Sequence, residues 1–118
     1  MKTLFTGAFS FLIAFSQLHA ADRIWIGAGA NDNWSTAANW GGTAPVNNDQ
    51  LIFSGAARQQ NFNDLPNLTA RGLTFSANGF SLSGNALALN PSGSGMITNF
   101  SGTNTVALDL NILAVNKN

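Results

Sequence analysis

Residues 80–90 read Phe-Ser-Leu-Ser-Gly-Asn-Ala-Leu-Ala-Leu-Asn, and residues 100–111 read Phe-Ser-Gly-Thr-Asn-Thr-Val-Ala-Leu-Asp-Leu-Asn. The element Ala-Leu-x-Leu-Asn at 86–90 returns at 107–111, and Leu51-Ile52-Phe53-Ser54 is echoed at nearly the same displacement by Leu73-Thr74-Phe75-Ser76. These pieces alternate large apolar residues with small or polar ones, the period of a strand with one buried face. Self-similarity at a fixed period marks stacked architectures, in which each repeat buries its apolar face against the next. At about 3.3 Å per strand residue, such a period makes two or three short strands with their turns, one coil of a parallel β-helix. The expected fold is therefore all-β, a parallel β-helix (solenoid) with a coil period of about 21–22 residues. An antiparallel β-sandwich with evenly spaced strands is the alternative. In the helical register Leu87 lies under Leu108, Leu89 under Leu110 and Asn90 under Asn111, with Asn amides bonding along the ladder.

Further strands are expected at Arg23–Ile26, Gln50–Ser54, Leu73–Ser76, Phe80–Ser83, Ala86–Leu89 and Thr105–Leu110, the last prolonged less regularly over 111–115. Gly, Asn and Pro separate them, the residues of tight turns. No long window carries a helical stripe; the most helix-like piece, Ser35–Asn39, is one turn long. The 16 Asn all fall after residue 20, a composition that fits disorder or turn-rich β-structure. Three Trp and five Phe in the same region favour order, because disordered chains are poor in aromatics.

The chain has 118 residues, 8% charged, with five Lys+Arg against five Asp+Glu and no cysteine. Neutrality removes the basic footprint of a nucleic-acid binder. The missing thiols remove disulfides, thiolate nucleophiles and Cys-ligated metal. Low charge also suits a stacked ladder, where in-register Lys or Asp would oppose a like charge on the next strand. Met1 and Lys2 followed by an apolar run from Leu4 to Phe15, polar Ser16, Gln17 and His19, and small Ala20-Ala21 has the layout of a secretory signal peptide cut after Ala20. The run is shorter than the roughly 20 apolar residues of a membrane-spanning helix. The expected organisation is a signal peptide at 1–20, a Trp-rich N-terminal cap region at 21–49, and β-solenoid coils at 50–118. No membrane span is expected once the signal is removed, and the location is the cell surface, the periplasm or the medium.

Removing the signal takes away the only His, and the remaining residues hold no Glu, Tyr or Cys, with a net charge of −1. General acid–base chemistry is left with Asp and Lys117 alone. No catalytic residue, cofactor or metal is expected. Trp25, Trp34 and Trp40 lie close together in the chain, placed either to stack on a glycan ring or to close the end of the solenoid. Asp32 and Asp49, each flanked by Asn, offer oxygen ligands of the kind calcium takes but lack a calcium-loop spacing, and Asx turns explain both clusters. Asp64 and Asp109 form a candidate glycosidase pair whose separation the spacing leaves open; Asp109 alternates with core-facing Leu108 and Leu110 and is expected to face solvent. Asn-x-Ser/Thr triplets at Asn33, Asn67 and Asn99 are as many as chance supplies.

The combination Trp25-Ile-Gly, Asn33-Trp34-Ser35, Ala38-Asn39-Trp40, Pro45 and Asp49-Gln-Leu-Ile-Phe53, followed by Gly72-Leu-Thr-Phe75 and Phe80-Ser-Leu-Ser-Gly84, resembles the N-terminal region of bacterial autotransporter-associated β-strand repeat proteins. The resemblance covers nearly all of residues 21–118. It implies a secreted or surface-displayed parallel β-helix, normally much longer, so the coils are expected to be incomplete at the C-terminus. The expected role is a structural or adhesive module at the cell surface, the N-terminal part of a larger passenger, with extracellular glycan, matrix or a neighbouring β-solenoid chain as partner. The alternative is a glycan-binding or polysaccharide-acting β-helix protein.

Overall fold

The computed structural model describes residues 21–90 and 96–113. The signal peptide expected at 1–20 and the strand prolongation expected at 114–115 lie outside them. The protein is all-β: β1 (Asp22–Trp25), a 3-10 turn (Ala37–Trp40), β2 (Gln50–Phe53), β3 (Gln60–Asn63), β4 (Thr69–Ala70), β5 (Gly72–Phe75), β6 (Ser81–Gly84), β7 (Leu87–Leu89), β8 (Ile97–Asn99), β9 (Thr105–Val106) and β10 (Leu110–Ile112). Among the described residues no helix is long and apolar enough to cross a membrane.

The strands form three small sheets, ordered β1-β2-β5-β8, β3-β6-β9 and β4-β7-β10. From β2 onward each strand joins the next sheet, and the third step returns the chain beside the strand it left. Every strand ladder is parallel. The antiparallel sandwich is thereby excluded: parallel neighbours need a long crossover, and here the crossover is the passage through the other two sheets.

The two sequence echoes fare differently. Leu51 pairs with Leu73 and Phe53 with Phe75, in the register the echo predicts. The 86–90 motif does not stack on 107–111; Leu87 pairs with Leu110, Ala88 with Asn111 and Leu89 with Ile112, two residues beyond the register that the sequence match implies. Side chains on a strand alternate faces with period 2, so a slip of two keeps the same face inward and leaves the Leu-x-Leu pattern unable to tell one register from the other. The expected Asn90–Asn111 ladder is consequently absent, Asn111 facing Ala88 instead. The strand expected at 105–110 breaks at residues 107–109, with β9 and β10 on different sheets and Leu108 buried at the corner between them.

The core runs along the inner faces. Trp25, Phe53 and Phe75 occupy one register row, Leu51 and Leu73 another, with Leu82 from the second sheet and Ala70, Leu87 and Leu89 from the third. Leu68 and Phe80, each just before a strand, and Leu108, between β9 and β10, fill the corners. Fully burying each large side chain contributes about 1.5–3 kcal/mol.

Three strands escaped the hydrophobic pattern. β3 inverts it, with Asn61 and Asn63 buried and Phe62 45% exposed. β4 is two residues long, and β8 has no fully buried side chain.

Gly84 shows how tightly β3 and β6 approach. It sits at φ 107°, and a Cβ there would lie 2.8 Å from the Asn63 nitrogen and closer still to its carbonyl oxygen. Asn63 is its register partner on β3. Gly84→Ala is expected to cost about 1–3 kcal/mol through backbone strain and clash, read as a lower urea midpoint. An unchanged midpoint would remove the argument.

Candidate functional site

The two edges of the sheets are built differently. On the side of β1, the segment between β1 and β2 follows the outer edges of β3 and β4. The Trp34 N–H donates to the Phe62 carbonyl (2.9 Å), the Phe62 N–H to the Asp32 carbonyl (2.9 Å) and the Asn48 N–H to the Thr69 carbonyl (2.8 Å). The Thr69 N–H donates to the Asn47 side-chain oxygen (3.0 Å). Groups that an edge strand normally leaves open are thus taken up. This explains the long first interval, in which Asp22 pairs with Gln50: residues 26–49 make one irregular circuit, touching the second sheet at Asn33–Trp34 and the third at Asn47–Asn48.

The three Trp fill this end. Trp25 and Trp34 are 0% exposed and Trp40 5%. Their rings meet edge to face, Trp25 to Trp40 at 5.1 Å and Trp34 to Trp40 at 6.0 Å, and all three lie within 6.3 Å of the Phe53 ring. Their indole N–H groups donate to the Ala57 carbonyl (3.2 Å), the Asn61 side-chain oxygen (2.8 Å) and the Trp34 carbonyl (2.8 Å) for Trp25, Trp34 and Trp40 respectively. Stacking on a sugar needs an open ring face, and none of the three has one. Of the two readings of Trp25, Trp34 and Trp40, burial favours the packing one: all three belong to the hydrophobic core.

The candidate carboxylates are engaged by protein donors. Asp49 is fully buried. Its Oδ2 accepts from Arg23 Nε (2.8 Å) and the Val46 N–H (3.0 Å), and its Oδ1 from the Ala21 N–H (3.0 Å). Burial pushes its pKa up; the Val46 and Ala21 N–H groups, and the hydrogen bond and charge of Arg23, outweigh that and hold it below the ordinary carboxylate value. Asp49 is thus an ion-pair anchor rather than an Asx turn. In the other cluster the turn belongs to Asn31, whose side-chain oxygen accepts from the Asn33 N–H (3.1 Å), while Asp32 pairs at the surface with Arg58 (2.9 Å). Both Asp64 oxygens accept from Ser35, one from its N–H (2.8 Å) and the other from its hydroxyl. Asp109 is exposed, as expected. Asp64 follows β3 and Asp109 precedes β10, on turns separated by the β6–β7 turn, and the structure does not join them into a site.

Asn39, part of the Ala38-Asn39-Trp40 motif, has a role that the sequence reading did not assign to it. It is 0% exposed and binds the irregular circuit together. Its side chain accepts from the Gly29 N–H (2.8 Å) and donates to the carbonyls of Asn31 (2.9 Å) and Asn33 (3.0 Å), while its own carbonyl takes the N–H groups of Ile26 (2.8 Å) and Gly27 (3.2 Å). Only its place in a turn-rich segment hinted at this.

At the opposite edge, no strand lies beyond β8, β9 and β10 among the described residues. Ile97, Ile112, Leu113 and Phe100 are exposed there, Phe100 at 73%. Beside the third sheet lies a groove of about 520 Å³, lined by Asn67, Asn85 and Asn111 together with Ala86, Ala88 and Leu113, and with no ionisable residue in its wall. No protein-family model, no curated protein and no solved structure matches the chain significantly.

Proposed function

We propose that the chain forms a three-sided parallel β-helix and serves as a non-catalytic structural or adhesive module, exported by residues 1–20 to the cell surface, periplasm or medium. In this reading residues 21–49 are its cap, and it works as the N-terminal part of a larger autotransporter-like passenger. The observation that carries the reading is the asymmetry of the second and third sheets: on the β1 side residues 26–49 hydrogen-bond to the outer edges of β3 and β4 over the buried Trp cluster, whereas among the described residues nothing pairs beyond β9 and β10. A further parallel coil is what such an edge accommodates, because edges left bare invite pairing with another chain. The engaged carboxylates and the absence of His, Glu and Cys from residues 21–118 support a role without chemistry.

The glycan-binding alternative now rests on the amide-lined groove, since carboxamides both donate to and accept from sugar hydroxyls. Expression of the full chain in a bacterial host tests the export reading: a product recovered outside the cytoplasm is expected, and full-length protein confined to the cytoplasm would end it. The exported chain is expected to leave a panel of polysaccharides uncleaved; release of new chain ends would overturn the non-catalytic role. Glycan retention lost in Asn85→Ala and Asn111→Ala would favour the alternative.

A further inference from the structure

We propose that Asp49 is the receptor for the α-ammonium group that cleavage after Ala20 creates on Ala21, so that processing itself supplies a second ion pair to the capped end. The inference rests on the export reading and adds to it a structural role for the new terminus. Cleavage hydrolyses the Ala20–Ala21 amide with one water: the Ala20 carbonyl leaves as a carboxylate with the leader, and the Ala21 nitrogen takes up protons to become an ammonium.

The geometry is already set. Ala21 is gripped by two consecutive residues, its nitrogen lying 3.0 Å from Asp49 Oδ1 and its carbonyl accepting the Gln50 N–H at 2.9 Å. Strand β1 begins at the next position. The two oxygens of Asp49 are not equivalent. Oδ2 holds both Arg23 and the Val46 N–H, whereas the only donor to Oδ1 among the described residues is Ala21. A fully buried carboxylate gains most from charged donors, because charge-assisted hydrogen bonds are roughly twice as strong as neutral ones. Before cleavage Ala21 offers a neutral amide; after it, a cation on the same atom.

The surrounding charges do not compete for this position. Arg23 on β1 is committed to Oδ2, and Asp22, also on β1, is paired with Arg71, which precedes β5, at 3.3 Å. Arg71 reaches Asp49 through its backbone, its N–H donating to the Asp49 carbonyl at 2.9 Å. A paired ammonium titrates above its unfolded value, so this stabilisation is fully present below the ordinary α-amino pKa of about 7.7–8.0 and is lost as pH rises through the higher folded value.

The test uses the exported protein. Its first residue is read by mass spectrometry, and the rate of α-amine acetylation is followed against pH, with Lys117, the only other amine after cleavage, as internal reference. The expected result is an N-terminus at Ala21 whose amine titrates at least one unit above the same amine in the urea-unfolded chain, acetylating about tenfold more slowly at pH 7. Asp49→Asn should bring it back to the ordinary range; should that variant not fold, the folded-against-unfolded comparison of the unsubstituted chain decides alone. A chain that begins at Ala21 but titrates normally overturns the pairing and leaves export standing. An exported chain that begins elsewhere overturns the proposal alone, and a chain retained uncleaved in the cytoplasm overturns both.

Discussion

Phe53→Ala is expected to cost about 3–5 kcal/mol, the range for removing a fully buried phenyl ring. The ring is 0% exposed and is the hub of the aromatic core, with centroids at 5.4 Å from Phe75 and 5.5 Å from Phe80 besides the three Trp. Aromatic pairs contribute about 0.5–1.5 kcal/mol beyond the area they bury. The cavity would open between the three Trp rings on one side and the Phe75 and Phe80 rings on the other. Against a typical stability of about 5–15 kcal/mol for a domain, that loss leaves the chain marginal. Urea denaturation of residues 21–118, followed by Trp fluorescence, measures it, all three Trp lying within reach of Phe53. Phe53→Leu should cost less, because a branched aliphatic fills part of the space. Phe100→Ser, at the open edge, should stay within about 0.5 kcal/mol; equal losses in Phe53→Ala and Phe100→Ser would contradict the account of the core.

Residues such as Leu51, Phe53, Leu73 and Phe75 made the first sheet legible. Their alternation is regular, their turns are short, and β2 and β5 pair in the register of the echo without interruption. What the pattern could not convey was register where the repeat is uneven. Gln50 pairs with Gly72, Ser81 with Thr105 across a longer interval and Thr69 with Ala88 across a shorter one, so no one period aligns all three sheets. Nor could it find β3, because Asn61 and Asn63 are inward and satisfied by specific partners, Trp34 Nε1 for one and the Leu65 N–H and Asn85 carbonyl for the other. A buried amide with its donors and acceptors matched is indistinguishable in a sequence from a solvated one.

The cluster Trp25, Trp34 and Trp40 shows a related limit. Its two readings, sugar platform and end closure, predict the same residues at the same spacing and differ only in whether the ring faces are covered. Coverage depends on Phe53 and on the path of residues 26–49, which is held by Asn39 and by bonds to β3 and β4 rather than by any periodic signal. Asp49 was legible as a carboxylate beside a strand but not as a buried one. Its cation, Arg23, is distant in the chain, and the two meet only because β1 lies parallel to β2.

Asp49→Ala is expected to be nearly as damaging as the loss of Phe53. Breaking a buried pair by removing one partner typically costs about 3–5 kcal/mol, since the surviving charge and hydrogen-bond donors lose their acceptor. Here Arg23 Nε and the N–H groups of Ala21 and Val46 are stranded together. Asp49→Asn keeps one acceptor oxygen and should cost less. The acid dependence separates this role from simple packing. The folded pKa of Asp49 lies below its ordinary value, so its contribution is complete above the unfolded carboxylate pKa of about 3.9 and is lost as pH falls through the lower folded one. Stability measured from pH 7 down to pH 2 should therefore fall more steeply for the unsubstituted chain than for Asp49→Asn, the gap between the two narrowing below about pH 4. A gap that stays constant across that range would mean that Asp49 holds Ala21, Arg23 and Val46 by shape alone, and that its charge contributes nothing to stability.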